Sequence, residues 1–199
     1  MSSDSPRDSR GAPISWLRLA EPSTYAPAIR ALHEETLKRL GYVRNFLRLP
    51  FEPERLALYQ GYLDRLMRSS DAKLPALERE LLALVASVEN RCEICVLSHA
   101  VALRKHGLER SVAEAVVVSW RRADLTPRQR ALAEFASKLT LHPADADESY
   151  IGGLRDAGLG EEEIFEAAQI VAIYNSNNRL NNVIGLRPDE GARAAFRAG

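Results

Sequence analysis

Apolar residues recur along this chain at the three- and four-residue spacing of amphipathic helices, whereas the alternating runs that indicate strands are essentially absent. Gly41 and Gly107 are typical helix ends, and Thr126 followed by Pro127 is a strong helix start. The predicted helices cover residues 24–40, 53–68, 75–89, 92–107, 112–122, 127–141, 144–157 and 161–184, with a short helix after Pro188. We therefore predict an all-α fold, a bundle of antiparallel helical hairpins.

The domain organisation is expected to be simple. Residues 1–12 are polar and mixed in charge, lack the apolar core of a secretory signal, and are expected to form a disordered lead-in. Residues 13–199 are expected to form a single all-helical domain. Because 46% of the residues are apolar, this length suffices to bury a sizeable core.

A weak internal repeat divides the predicted domain into two halves. The Leu-Arg and Gly-Leu pairs within residues 103–108 recur within residues 154–159. The repeat predicts a redox half at about residues 70–122 and a degenerate half at about residues 123–187, which keeps the helical framework but lacks the reactive side chains of the first. Chance similarity between two leucine-rich hairpins explains the pattern nearly as well.

Charge and cysteine content narrow the function classes. The 27 basic and 27 acidic residues cancel, so we expect neither nucleic acid nor an anionic membrane as a partner. No apolar run approaches the ~20 residues of a membrane-spanning helix, and a cytoplasmic protein is the default expectation. The two cysteines are too few for a secreted disulfide framework, and their closeness indicates redox chemistry or metal binding.

The cysteines belong to a short motif with chemical potential. Cys95 and His99 are four residues apart and share one face of a predicted helix, and Cys92 lies one turn earlier. Cys92 also begins the helix, where free N–H groups and the helix dipole lower the pKa of a thiol. His99 is placed to take a proton from Cys95, directly or through a water molecule.

Glu80 completes this constellation from the preceding helix. If the chain reverses at residues 90–91, Glu80 and His99 lie roughly 13 and 11 Å from the turn, so their side chains are about level. A carboxylate beside an imidazole fixes its tautomer and raises its basicity. Glu80 rather than Glu78 is expected to face inward, because residues two apart on a helix do not share a face. The two thiols can then cycle between dithiol and disulfide.

The spacing Glu-x11-Cys-x2-Cys-x3-His, with an asparagine two residues before the first cysteine, resembles the alkylhydroperoxidase D and carboxymuconolactone decarboxylase superfamily. The residues that carry the resemblance are Glu80, Asn90, Cys92, Cys95 and His99. Residues 174–189 resemble its branch of uncharacterised peroxidase-related proteins. The resemblance implies an all-helical fold, an antioxidant peroxidase activity through a redox-active disulfide, and a homo-oligomer, often a trimer or hexamer.

The resemblance also implies roles for individual residues. Glu80 and His99 form a proton relay that serves Cys95, and Cys92 is its partner thiol. The helix-start argument instead favours Cys92 as the attacking thiolate, so the order of attack stays open. The family's dithiol reductant is a lipoyl-bearing protein, and nothing in this sequence shows that partner. The histidine of the family next to the second cysteine is Ile94 here, which cannot relay protons, so a low rate with peroxide is expected.

Three alternatives compete with a peroxidase that needs no cofactor or metal. The four side chains of Cys92, Cys95, His99 and Glu80 could bind zinc in a non-catalytic structural or binding protein, although no second zinc knuckle is present in the sequence. The cysteines could be small buried apolar residues. A decarboxylase acting on a lactone has no need of two thiols.

The remaining polar candidates are three histidines and an asparagine-rich segment. His33, His106 and His142 have no constellation around them, and we expect surface or capping positions, with His106 at a helix C-terminus. The asparagine-rich segment 175–182 could line the approach to the thiols or a subunit contact. We favour a polar helix end whose side chains satisfy backbone groups.

Overall fold

Nine α-helices and four short 3-10 helices form the fold of residues 6–19 and 22–198, the residues that this computed structural model describes. The α-helices are α1 (Pro27–Leu40), α2 (Pro53–Arg68), α3 (Ala76–Glu89), α4 (Glu93–Lys105), α5 (Arg110–Ser119), α6 (Pro127–Leu141), α7 (Glu148–Asp156), α8 (Glu161–Val183) and α9 (Glu190–Arg197). No strand occurs among these described residues, and Arg7 and Pro13 form an isolated β-bridge. The all-α prediction is confirmed.

Helix starts differ from the predicted ones where a local cap decides them. The helix predicted from residue 144 begins at Glu148, because the Asp147 carboxylate accepts a hydrogen bond from the Ser149 N–H. The helix predicted to end at residue 122 ends at Ser119 and is followed by a 3-10 turn. The Thr126–Pro127 start is confirmed as a capping box with Gln129.

The helix α3 is the centre of the bundle and contacts α4, α6 and α8. Its segment 81–86 is Leu-Leu-Ala-Leu-Val-Ala, and none of these side chains is exposed. A helix that is apolar on all sides is stable only when other helices surround it. The position of α3 is therefore fixed on every side, and so are the polar side chains that it carries.

Those polar side chains overturn one expectation. Glu78 is 8% exposed and its carboxylate accepts two hydrogen bonds from Arg128 of α6. Glu80 also faces inward, toward His99 of α4. The prediction that only one of the two glutamates could face inward is wrong, because α3 is covered by different helices on its two flanks and each carboxylate finds its own cation or proton donor.

A second apolar cluster lies beside the cysteines. It contains Tyr25, Ile29, Phe46, Leu47, Leu49, Leu56, Ile184 and Leu186 together with Cys92, Ile94 and Cys95. His33 of α1 belongs to this region and is buried, with a ring nitrogen 2.9 Å from the carbonyl oxygen of Leu47. The expected surface or capping position of His33 is wrong. His106, by contrast, caps the C-terminus of α4 as predicted.

The chain segment before α1 lies against the end of α8. Trp16 N–H donates to the Ile184 carbonyl, and Arg187 N–H donates to the Ile14 carbonyl. Part of the predicted lead-in over residues 1–12 falls on residues 1–5, outside the described residues. The division into a redox half and a degenerate half stays a prediction. In the described part of the chain, none of the helices combines the length and the apolarity that crossing a membrane requires.

Truncation of a leucine in α3 tests its central place. Leu82→Ala removes side-chain contacts at a fully buried position, and we expect a loss of about 2–5 kcal/mol in the free energy of unfolding, measured by urea denaturation. The matched control is Leu58→Ala on α2, where the leucine is 78% exposed and a change within about 0.5 kcal/mol is expected. Equal losses in the two variants would contradict this account of the core.

Candidate active site

A tight reversal between α3 and α4 sets the geometry of the candidate site. Arg91 has a φ of 55°, in the left-handed region that costs a non-glycine residue roughly 1–2 kcal/mol. The reversal is held by Cys92 N–H, which donates to the Ser87 carbonyl at 3.0 Å, and by the Asn90 side chain, which donates to the Ala86 carbonyl at 2.9 Å. These bonds close the end of α3 and start α4 directly behind it.

The two thiols lie at the start of α4. Cys92 is its N-cap residue and Cys95 lies in its first turn. Their Sγ atoms are 2.9 Å apart and both cysteines are free. Cys92 is 0% exposed and Cys95 is 7% exposed. Because a disulfide joins its sulfurs at about 2.05 Å, these thiols need only a small approach to form one.

The close thiols influence each other's ionisation. Their shared hydrogen bond lowers the pKa of Cys92, because the S–H of Cys95 stabilises the Cys92 thiolate. The same hydrogen bond, together with burial, raises the pKa of Cys95. The side-chain amide of Asn181 also donates to Cys95 Sγ at 3.3 Å, which favours a thiolate there. The pair therefore stabilises one negative charge, which a proton shift between the sulfurs can move from one to the other.

His99 and Glu80 meet between the two helices, as the sequence spacing predicts. The Nδ1 atom of His99 lies 2.6 Å from Glu80 Oε2, and both side chains are largely buried. The carboxylate accepts the Nδ1 proton, which leaves Nε2 as the nitrogen free to exchange a proton. The rings of His99 and Tyr174 form a T-shaped contact with centroids 4.4 Å apart, so the His99 ring is held on a second side.

A cavity of about 440 Å³ joins these groups. Glu80, Cys95 and His99 all line it, whereas Cys92 does not and lies behind Cys95. The structure thus brings together all four side chains that the sequence motif singled out, and it opens three of them to the cavity. Tyr174 lines the same cavity, and burial raises the pKa of its hydroxyl, which stays protonated as a donor.

The asparagines of α8 form a buried polar seam beside the thiols. In addition to the Asn181 bond to Cys95, Asn177 accepts a hydrogen bond from the Tyr59 hydroxyl at 2.6 Å. Asn178 bonds Ser87 at 3.2 Å, and Asn175 accepts from Asn90 at 2.9 Å. Both interpretations of this segment apply in part: Asn177 and Asn181 line the cavity, whereas the amides of Asn175 and Asn182 donate to backbone carbonyl groups. The seam also connects α8 to the reversal that carries the cysteines.

Sequence reasoning missed two further groups at the cavity. Tyr59 comes from α2, where burial raises the pKa of its hydroxyl, and Arg44 precedes the 3-10 helix Asn45–Arg48. Neither belongs to a local motif. A single sequence carries no signal that could bring such distant residues to the thiols, because their placement depends on how the whole bundle packs.

Within the described ranges, no group of three or more histidine, cysteine, aspartate or glutamate side chains is arranged to hold a metal ion. The zinc interpretation therefore has no ligand set in the part of the chain that the structure describes. The Glu80 carboxylate is instead engaged by the imidazole.

The chain is similar in sequence and structure to known proteins. The sequence pattern of the carboxymuconolactone decarboxylase family matches residues 53–119. An uncharacterised peroxidase-related protein from Ralstonia eutropha JMP134, described as an alkylhydroperoxidase AhpD core, is 31% identical, with a TM-score of 0.85 over 92% of this chain and 97% of that one. A peroxidase-related protein from Silicibacter sp. TM1040 is 28% identical, with a TM-score of 0.83 over 92% and 96% of the two chains.

A more distant structure shares the fold. The debrominase Bmp8 is 20% identical, with a TM-score of 0.73 over 92% of this chain and 95% of that one. No curated protein has a significant sequence match to this chain. On its identity to the Ralstonia protein, over nearly the whole of both chains, this chain belongs to the alkylhydroperoxidase D-like, peroxidase-related branch of the carboxymuconolactone decarboxylase superfamily.

Proposed function

We propose that the protein is a thiol-dependent peroxidase, an oxidoreductase that reduces hydroperoxides through Cys92 and Cys95 with a proton relay of His99 and Glu80. One observation carries the proposal: two thiols 2.9 Å apart adjoin a cavity that is also lined by a hydrogen-bonded imidazole–carboxylate pair. The peroxidase-related descriptions of the Ralstonia and Silicibacter proteins support the same class of activity.

Access to the cavity supports Cys95 as the attacking thiol. Cys95 lines the cavity and Cys92 is fully buried behind it, so a peroxide meets Cys95 first. The lowered pKa of Cys92 describes where the shared charge rests before substrate arrives. A proton shift across the thiol pair places the charge on Cys95, where the Asn181 amide stabilises it. Cys92 is then the resolving thiol.

The proposed catalytic cycle has two oxidative steps, which are followed by reduction of the disulfide. The Cys95 thiolate attacks the terminal peroxide oxygen, an S–O bond forms, the O–O bond breaks, and the alkoxide leaves as an alcohol after protonation. Cys95 is now a sulfenic acid. The Cys92 sulfur attacks it, a disulfide forms, and water leaves. A dithiol reductant then returns two electrons by thiol–disulfide exchange and restores the two thiols.

His99 is the proposed proton carrier and Glu80 its positioning partner. Because Nδ1 is held by the carboxylate, Nε2 can take the Cys95 proton through a water molecule in the cavity and return it to the leaving alkoxide. Ile94, at the position of the family histidine, is buried and apolar, and Glu93 is held at the surface by Arg193. Among the side chains of the motif, His99 is therefore the proposed proton carrier, and the low rate with peroxide stays a prediction.

We also propose a reductant and an oligomeric state on the basis of the family resemblance. The reductant is a dithiol carrier such as a lipoyl-bearing protein, and the assembly is a trimer or hexamer of this chain. Dihydrolipoamide is accordingly a suitable reductant for assays.

Peroxide consumption is the direct test of the proposed function. With dithiothreitol or dihydrolipoamide as reductant, we expect the wild-type protein to consume cumene hydroperoxide with saturation kinetics. Cys95→Ser should abolish turnover because it removes the attacking sulfur, and His99→Ala should lower it by about a hundredfold. Wild-type activity no higher than that of Cys95→Ser would remove the peroxidase proposal, and stoichiometric zinc in the purified protein would favour the structural alternative.

Substitutions of two glutamates on α3 should have different effects, one on activity and the other on stability. Glu80→Gln keeps a hydrogen-bond acceptor but loses the charge that stabilises a protonated His99, and we expect kcat/KM to fall by about tenfold to a hundredfold with little change in unfolding free energy. Glu78→Gln weakens the buried pair with Arg128, away from the thiol cavity. It should cost about 1–3 kcal/mol of stability and little activity. Parallel effects of the two substitutions on activity would contradict the role of Glu80.

Because the two thiols share a hydrogen bond, removal of either one should shift the pKa of the other, in opposite directions for the two variants. Cys95→Ala removes the S–H that stabilises the Cys92 thiolate, so the pKa of Cys92 should rise and its alkylation should begin at higher pH than in the wild type. Cys92→Ala removes the partner that raises the pKa of Cys95, so the alkylation of Cys95 should begin at lower pH. Rates with iodoacetamide, measured by mass spectrometry across pH, give both shifts. Identical profiles in the single variants and the wild type would show that the thiols ionise independently.

A further inference from the structure

The cavity in front of Cys95 is strongly basic although the whole chain is neutral. Its lining contains the positively charged side chains of Arg39, Arg44, Arg68, Arg79 and Lys105. Among the described lining residues, Glu80 is the sole carboxylate. Since the chain as a whole carries 27 basic and 27 acidic residues, this local excess of positive charge is a property of the site.

Three of these charged groups already have partners. Arg68 pairs with Asp64 one turn earlier on α2. Arg79 is buried and donates to backbone carbonyl groups at the end of the same helix. Glu80 is engaged by His99. Glu80, the one carboxylate among these three groups, is therefore not free to neutralise the remaining basic side chains.

Arg39, Arg44 and Lys105 make no ion pair and no side-chain hydrogen bond with the described residues. Burial and the nearby charges of Arg68 and Arg44 lower the pKa of Arg39, in opposition to the smaller effects of Asp64 and Glu35. Arg44 is partly buried. Asp189 is a buried carboxylate that forms no ion pair with Arg44 within 4.0 Å; burial raises its pKa and the charge of Arg44 lowers it. A partly buried guanidinium without a counter-ion favours an anionic ligand.

Arg44 also lies close enough to Cys95 to influence its ionisation. Its positive charge lowers the pKa of the Cys95 thiol, in opposition to the larger effects of Cys92 and burial. Arg44 and Cys95 line the same cavity. An anion held by Arg44 would therefore place the rest of its molecule in front of the thiol.

The rest of the cavity suits a hydrocarbon body. Phe46, Tyr59, Leu63 and Met67 line it. Its volume of about 440 Å³ lies within the range of organic ligand pockets and is far larger than hydrogen peroxide needs. Apolar walls between a thiol and an unpaired guanidinium match a molecule with a reactive group, an apolar middle and an anionic end.

We propose that the substrate is an organic hydroperoxide that carries a carboxylate, with Arg44 as the binding partner of the carboxylate. This inference rests on the proposed peroxidase function and names its substrate class. The carboxylate takes no part in the chemistry: Cys95 takes the terminal peroxide oxygen, the O–O bond breaks, and the product leaves as a hydroxy acid. The electrons come from the thiols, which the dithiol reductant restores.

A matched pair of substrates tests this assignment. The probes are cumene hydroperoxide bearing a para carboxylate and the methyl ester of the same compound, which differ little except in charge. We expect the wild-type kcat/KM to favour the acid over the ester by about tenfold or more, from one charge-assisted ion pair. In Arg44→Met this ratio should fall to about one. Any effect of Arg44 on the Cys95 thiolate is common to both substrates and cancels in the ratio.

Arg48→Met is the matched control: like Arg44→Met it replaces an arginine, here the last residue of the 3-10 helix Asn45–Arg48 that Arg44 precedes, but Arg48 does not line the thiol cavity. The acid-to-ester ratio should stay within twofold of the wild type there. Equal losses in both variants would overturn the subsite, since they would show a general effect of protein charge. Ratios near one in the wild type would overturn it as well.

A binding measurement separates this inference from the activity on which it rests. Calorimetry with the Cys95→Ser protein and the para-carboxylate hydroxy acid, the reaction product, should show binding that Arg44→Met abolishes, with none for its methyl ester. Consumption of neither hydroperoxide by the wild type would defeat the proposed peroxidase. Binding that does not depend on Arg44 would defeat the carboxylate subsite alone. An Arg44-dependent preference for dihydrolipoate over dihydrolipoamide, with none between acid and ester, would assign the anion to the reductant and overturn the proposal.

Discussion

The packing of α4 against α3 through the left-handed step at Arg91 is the constraint on which the site depends. The imidazole of His99 meets the carboxylate of Glu80 only if the two helices reverse at this point and in this register. An insertion of one residue would rotate the following side chains by about 100° around the helix axis. The hydrogen bond from Cys92 N–H to the Ser87 carbonyl fixes the register, and the complete burial of the middle of α3 fixes the position of the helix itself.

The polar seam of α8 extends this constraint to the sulfurs. Asparagine is a poor residue for a helix interior, and burying several of them is costly unless each amide finds partners. Here the amides bond to Cys95, Ser87, Asn90 and the Tyr59 hydroxyl, so the seam ties α2, α3 and α4 together at the thiols. Hydrogen-bonded networks in a low-dielectric interior hold geometry tightly. The asparagines of the seam therefore lower the intrinsic helix propensity of α8, but their hydrogen bonds fix the arrangement of the side chains around the thiols.

The sequence predicted the parts of the site that are local in the chain. Helical periodicity and the rise per residue sufficed to place Glu80 level with His99, because only one tight reversal lies between them. They did not reveal that Glu78 is buried, since its partner Arg128 lies on another helix. The burial of His33 was not predicted for the same reason: whether a polar side chain is buried depends on acceptors supplied by distant segments, such as the Leu47 carbonyl.

The positive charge of the cavity also could not be predicted from the sequence. The neutral composition gave no reason to expect an anionic partner, yet folding gathers basic side chains from α1, α2, α4 and the loop that carries Arg44 around one reactive thiol. A net charge of zero thus permits a local basic site for a small anion. The proposed thiol chemistry is based on the motif, whereas the proposed substrate class is based on the tertiary structure.

In the proposed reaction, Cys95 attacks the peroxide and Cys92 resolves the sulfenic acid. Mass spectrometry of the single-cysteine variants after limiting peroxide distinguishes these two roles. Cys92→Ser should hold a stable sulfenic acid on Cys95, Cys95→Ser should remain unmodified, and the wild type should form one Cys92–Cys95 disulfide for each peroxide consumed. A stable sulfenic acid on Cys92 alone, or peroxide loss without disulfide formation, would contradict the account.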